Sequence, residues 1–486
     1  MAGAHKIVPR WGQPLTGIIS LVVFTLIAWV TWYIIGDPAK GIFRLYEQPF
    51  TAFLAVMIVV GVWQHILFGD YPFQNLGPLS RGIAMTITNI VISWFLIYVF
   101  FEWLGVILPF FSTEAVLNAK LQLIEMAGLP VPAHGTELYE ELHHGAMDVK
   151  MAAVTFWVVT GFVTYPFWAI MFQKWPWAGK LSQPAAGMAE WAWTTVITII
   201  VFGIFVVPHF ANVAYPGYLK AALPTYDPVY ATYAKSATEL MGKASWAYPS
   251  IWYAKYAPIG AKNYLYIVSL YEWVVVVLFL GANTWQGWPW NFIKTQPLRG
   301  VVGTVGMVLI AYVFNQITLQ IIAAYWGQIP LDTALDPATA KELGIRGNWG
   351  FRHYHSLSIA AATLMPFLAW HHYFDDWPNQ PGMFNIGWWI RFVGVFALAG
   401  VWMFVWYKIC WPLTGLWPGL STAAPTLYQM HELVGHGEPL GTAFQVMNKP
   451  AVWIFWWIIP LLFNEWFMHK WPFYIEEHEA GEGHHH

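Results

Sequence analysis

Apolar residues in this chain come in long runs rather than in alternation. Runs near the length of a membrane span cover about 17–36, 50–69, 82–104, 150–173, 187–208, 264–283, 300–325, 356–373, 388–410 and 452–470. About 20 consecutive apolar residues let a helix cross the hydrocarbon layer. The pattern therefore predicts an all-α integral membrane fold of about ten transmembrane helices. Residues 1–483 read as a single polytopic membrane domain, and His484–His486 are set apart as a tail, native or a purification tag. No small-residue cleavage site follows the basic first residues, so the first run is expected to stay as a helix.

The polar connections alternate after the second run. Those at 70–81, 174–186, 284–299 and 374–387 are short; those at 105–149, 209–263, 326–355 and 411–451 are long. The short ones share an aromatic-Pro pair, at Pro72, Pro176, Pro289 and Pro378, and the C-terminal HKWPFYIEE adds Pro472. Proline removes an N–H and disfavours helix before it, so each pair ends an even-numbered helix. The neighbouring aromatic suits the headgroup region. Five copies on alternate helices predict a degenerate repeat of helical hairpins whose Trp-Pro corners share one face with both termini. The competing reading is that any membrane protein places Trp and Pro at helix ends.

Charge adds an orientation. Lys6, Arg10, Arg81, Lys174, Lys180, Lys294, Arg299, Arg391 and Lys470 fall on the corner face, over much shorter connections than the remaining basic residues. The remaining 14 are spread over about twice the length, and the slightly higher density in the short loops predicts a cytoplasmic corner face and cytoplasmic termini; the membrane is read as a bacterial or archaeal cell membrane. Only 10% of residues are charged, and the mean hydropathy is +0.48, which together exclude an ordinary soluble domain. A net charge of −3 gives no footing for nucleic acid. The single cysteine, Cys410, excludes an internal disulfide and a cysteine-ligated cluster. Thirty-three tryptophans exceed what interfacial belts need, which leans toward a rigid bundle.

Ionisable residues in membrane segments are costly and mark function by default. Seven residues before the corner prolines stand His65, Ala169, Ala282, His371 and Glu465. If the even helices surround one axis, His65, His371 and Glu465 converge as two imidazoles and a carboxylate, a ligand set for iron, copper or zinc. Gln64, His372, Asp375, Asp376 and Asn464 are the residues expected to orient those ligands. The alternative is that these groups merely pair with one another at helix interfaces.

A second histidine set lies on the opposite face: His134, His143, His144 near Asp148, His209, His353, His355, and His431, Glu432, His436 and Glu438. In an extended segment His353 and His355 would point the same way, as a metal requires. Glu272 falls near the middle of its run, with Asn315, Gln316, Gln320 and Asn89 as candidate partners on a proton or ion path. Glu102, Lys150 and Lys408 lie at outer helix ends, where they are expected to snorkel. Pro166 and Pro366 sit inside helices and could kink them.

The HxxxH and HxxHH boxes of membrane di-iron enzymes are absent, as are a phosphate-binding loop, a dinucleotide glycine fingerprint and a serine elbow. The leading expectation is a membrane metalloprotein, a redox enzyme or the membrane subunit of one, holding copper, iron or zinc, or haem b between two histidines. The first alternative is a transporter or channel for a metal ion, a proton-coupled solute or a small molecule. The second is a non-catalytic scaffold. The bilayer is the certain partner on any of these readings, and the long outer loops would dock other membrane or periplasmic subunits.

Overall fold

A computed structural model describes residues 7–36, 42–43, 50–126, 130–205, 264–285, 287–326, 351–378, 384–405 and 456–476. Its helices are α1 (Leu15–Thr31), α2 (Phe50–Val62), α3 (Pro78–Phe95), α4 (Thr113–Met126), α5 (Glu137–Ile170), α6 (Ala185–Phe205), α7 (Tyr264–Phe279), α8 (Leu298–Trp326), α9 (Phe351–Tyr373) and α10 (Ile386–Val405). A further helix, α11, covers residues 456–468. Two strands, β1 (Ile7–Pro9) and β2 (Tyr474–Glu476), pair antiparallel with Val8 opposite Ile475.

Among the described residues, five helices are long and apolar enough to cross a membrane: Leu15–Ile35, Pro78–Leu104, Ala153–Ile170, Ala185–Phe205 and Leu298–Ile321. Shorter apolar helices cover Ala52–Leu67, Ser269–Ala282 and Ile386–Val401. The chain is thus an all-α membrane protein in outline.

Burial divides the helices into two kinds. About a fifth to a quarter of the apolar window is buried in α1, α3, α6 and α8, whereas α5 is 67% buried. In α7, every residue from Trp273 to Leu278 is inside, and α2 and α9 are enclosed in the same way. The outer helices carry their polar residues on the narrow stripe that packs inward: Arg81, Asn89 and Ser93 on α3, and Glu190, Thr194 and Thr198 on α6. Their opposite faces are exposed and apolar, as Ile83, Ile87, Val91 and Trp94 illustrate. That inverts the pattern of a soluble helix, because lipid rather than water covers the outside.

All five aromatic-Pro corners have one backbone geometry. The helix ends in residues of positive φ, namely Gly69–Asp70, Gln173–Lys174, Gly287, Asp375–Asp376 and His469–Lys470. The residue two before the proline donates its N–H six positions back: Asp70 to Gln64 O (2.9 Å), Lys174 to Trp168 O (3.2 Å), Gly287 to Gly281 O (2.7 Å), Asp376 to Trp370 O (3.1 Å) and Lys470 to Asn464 O (3.0 Å). This left-handed cap satisfies carbonyls that the helix end leaves open. The peptide bond into each corner proline is cis. The preceding aromatics, Tyr71, Trp175, Trp288, Trp377 and Trp471, are all exposed, as headgroup anchors must be.

The corner side chain four before the proline fills a notch on an outer helix. Phe68 lies over Gly187 and Phe172 over Gly300, so closely that a Cβ at either glycine would overlap the ring. Gly187→Val should cost about 1–3 kcal/mol through overpacking. Gly203→Val on the same helix, with open space around it, should leave the melting temperature in detergent unchanged. Equal losses at both positions would remove the notch as a cause.

The N-terminal segment packs on the last two corners. Arg10 N donates to Phe473 O (3.0 Å) at the last, and Gln13 Nε2 donates to Tyr373 O (2.8 Å) and to Asp375 Oδ2 (2.9 Å) at the fourth. Trp457 Nε1 and Trp456 Nε1 donate to Thr25 and Thr31, seating α11 against α1.

Candidate functional site

Five helices surround one small apolar cavity of about 20 Å³. It is lined by Ile58, Val62 and Ile66; Phe162 and Pro166; Phe279; Leu364 and Leu368; and Ile458, Leu462 and Trp466. Counted back from the nearest corner proline, every one stands at position 6, 10 or 14. A spacing of four keeps a residue on one helix face, so the same face of α2, α5, α7, α9 and α11 looks inward. Pro166 and Pro366 both lie inside helices, as expected, and Pro166 is part of the wall.

The inward register places His372, the neighbour of the candidate ligand His371, at position 6. Position 6 faces the axis and position 7 lies beside it; His372, at position 6, meets Glu465, at position 7 of its own helix, at 3.4 Å (Nδ1 to Oε1). His371 turns to its own corner and meets Asp376, 3.0 Å from Nδ1 to Oδ2. His65 does the same with Asp70 at 2.8 Å, and its ring stacks on Trp466 at 5.8 Å. The shared signal was in the chain: His-x₄-Asp-x-Pro stands at 65–72 and at 371–378. Glu465 and Lys470 occupy the same two positions with charge signs changed.

Neighbouring corners are tied by charge. His469 Nε2 lies 3.3 Å from Asp70 Oδ2, and Lys470 Nζ lies 3.7 Å from Asp375 Oδ1. Lys174 Nζ donates to Ile66 O and lies 3.6 Å from the buried Glu190. Sequence reasoning missed Asp70, His469, Lys470, Gln13 and the Lys174–Glu190 pair, because it weighed the helix interiors and treated the corners as stops.

Gln64 and Asn464 do not touch the histidines. Gln64 bonds Asn89 and Met85 O on α3 (2.9 and 3.1 Å). Asn464 accepts from the Tyr373 hydroxyl at 2.7 Å and donates to Trp471 O. Two of the expected orienting residues meet a candidate ligand, Asp376 at His371 and His372 at Glu465, whereas Asp375 is engaged by Gln13 and Lys470. Among the described residues, no three His, Cys, Asp or Glu side chains are grouped to hold a metal ion.

Asp70 is shifted plainly by its surroundings. Burial would raise its carboxyl, but hydrogen bonds from His469 and His65, with their charge, hold it at about 2. A carboxyl depressed from 3.8 contributes stability in full above about pH 4, and that contribution is lost as pH falls through about 2. Asp70→Asn should therefore melt several degrees lower than wild type at pH 6, and the gap should close as the pH approaches 2. A gap that persists unchanged at low pH would mean that shape, not charge, is what Asp70 supplies.

Of the outer histidines, His143 is exposed on α5, and His144 and Asp148 belong to the same helix. The backbone at 353 and 355 is helical, where positions two apart lie on different faces, so the extended-segment argument for that pair does not hold. His209, His431, Glu432, His436 and Glu438 lie outside the described residues. Lys150 does not snorkel: it is buried and ion-paired with Glu102.

Glu272 is mid-helix and buried, with Oε1 lacking a hydrogen-bond partner among the described residues. Asn315 accepts from Ser356 Oγ at 2.7 Å, and Ser356 accepts from Trp273 Nε1 at 3.0 Å. Asn89 is committed to Gln64 and Met57 O, away from α7.

No known family model matches the chain, and neither a curated protein nor a solved structure does.

Proposed function

We propose that the chain is a ten-span membrane protein built from five corner-linked helical hairpins and that it acts as a channel or transporter for a small molecule. The axis between the inner helices is its path. The observation that carries this is the convergence of equivalent positions from all five corners on one cavity. Glu465, His372 and the corner acids form a polar mouth at one end of that axis. Glu272 stands ten register positions deeper, about 15 Å along a helix. An intramembrane carboxylate at that depth fits a proton-coupled step. The corner face is cytoplasmic on this reading, and the membrane is a prokaryotic cell membrane.

The test is flux through liposomes holding the tag-free protein. Proton, potassium and methylamine entry are followed against protein-free vesicles. Entry of at least one probe several-fold above the lipid background, removed by Leu462→Trp, is the expected result. Rates equal to protein-free vesicles for all three would defeat the proposal.

One observation favours a second reading, the redox metalloprotein. His65 and His371 each set Nδ1 against an aspartate, which is how proteins orient an imidazole whose Nε2 binds metal. Stoichiometric copper, iron or zinc in tag-free protein, lost in His371→Ala and kept in His353→Ala, would move the account there. The scaffold reading has no comparable support.

A further inference from the structure

We infer that the axial cavity is a binding site for a small apolar molecule of two or three heavy atoms, of the class of dioxygen, dinitrogen or carbon dioxide. The inference rests on the cavity alone and does not require that anything be transported.

The size follows from the geometry of five helices. Neighbouring helix axes lie about 8–10 Å apart, so a ring of five has a radius of about 8 Å from the centre to each axis. Side chains reach about 5–6 Å from a helix axis. That leaves a central hole of about 2–3 Å radius, too wide for side chains to close and too narrow for a large ligand. The observed cavity, about 20 Å³, matches this hole. One water needs about 10–15 Å³ of such space.

The walls decide the chemistry. Val62, Leu368 and Leu462 at position 10 are buried, and Phe279 and Trp466 close the sides. No polar atom faces the space. A water there would find none of the two to four partners that hold buried water in place, so an apolar cavity stays dry and takes apolar guests. The polar side chains of Glu465 and His372 are paired with each other and are not part of this wall. A guest enters with no hydrogen bond to lose, and its gain comes from filling empty contacts.

Crystals of the full chain pressurised with krypton test this by anomalous scattering. The expected result is a peak between Val62, Leu368 and Leu462 in wild type, at least fivefold weaker in Val62→Phe, which fills the hole. Leu368→Phe fills it from another helix and serves if Val62→Phe does not fold. No axial peak in wild type, or a peak of equal height in both filled variants, would overturn the inference. A wild-type peak without flux in liposomes would keep this site and remove the transport proposal. Flux without a peak would do the reverse.

Discussion

Glu465→Ala is expected to destabilise the protein by about 1–3 kcal/mol, the usual cost of leaving a largely enclosed hydrogen-bonding group without its partner. The side chains of Glu465 and His372 are only 17% and 15% exposed, so His372 would be left without its carboxylate where water has little access. Lys470 would lose a neighbouring anion as well, keeping Asp375 at 3.7 Å. The double variant Glu465→Ala/His372→Ala should recover much of the loss, since an apolar pair leaves nothing stranded. Melting temperatures of the four proteins in one detergent form the cycle. Additive losses would show that the pair is not coupled.

The second large effect is on permeability. Leu462→Asn places an amide in the apolar wall, beside Val62 and Leu368. It should cost about 1–3 kcal/mol for a buried polar group without partners. It should also draw water into the axis and raise potassium leak through liposomes at least tenfold, because dry constrictions exclude ions. Leu398→Asn, on an exposed face of α10, should cause no leak. A tight Leu462→Asn protein that still folds would mean that the axis does not continue through the bundle.

The sequence carried the corners well. Proline and its aromatic neighbour act locally, so five helix ends could be placed from residue type alone. The helical, membrane-embedded class was equally legible from run length. What could not be read was which face of each enclosed helix looks inward. α7 and α2 are apolar all round, so no periodicity marks the side that meets the axis. On α9 the adjacent His371 and His372 differ by about 100° of rotation, and only packing shows which of them meets Glu465. The corner acids were legible in principle, through the repeated His-x₄-Asp-x-Pro spacing. Their partner His469 was not, because it belongs to a different corner nearly 400 residues away. Similarly, Lys150 reads as a helix-end cation until Glu102, 48 residues earlier, is packed against it.

The central claim is that helices from all five corners meet at one axis. Cross-linking in native membranes tests it most directly. With Cys410 replaced by serine, Ile58→Cys and Ile458→Cys occupy the same register position on α2 and α11, across one cavity. A short bifunctional thiol reagent should join them in high yield, while Ile87→Cys, on the lipid face of α3, should not join Ile458→Cys. Efficient cross-linking of the axial pair alone is the predicted result. No axial product, or equal yields from both pairs, would contradict the arrangement on which the account stands.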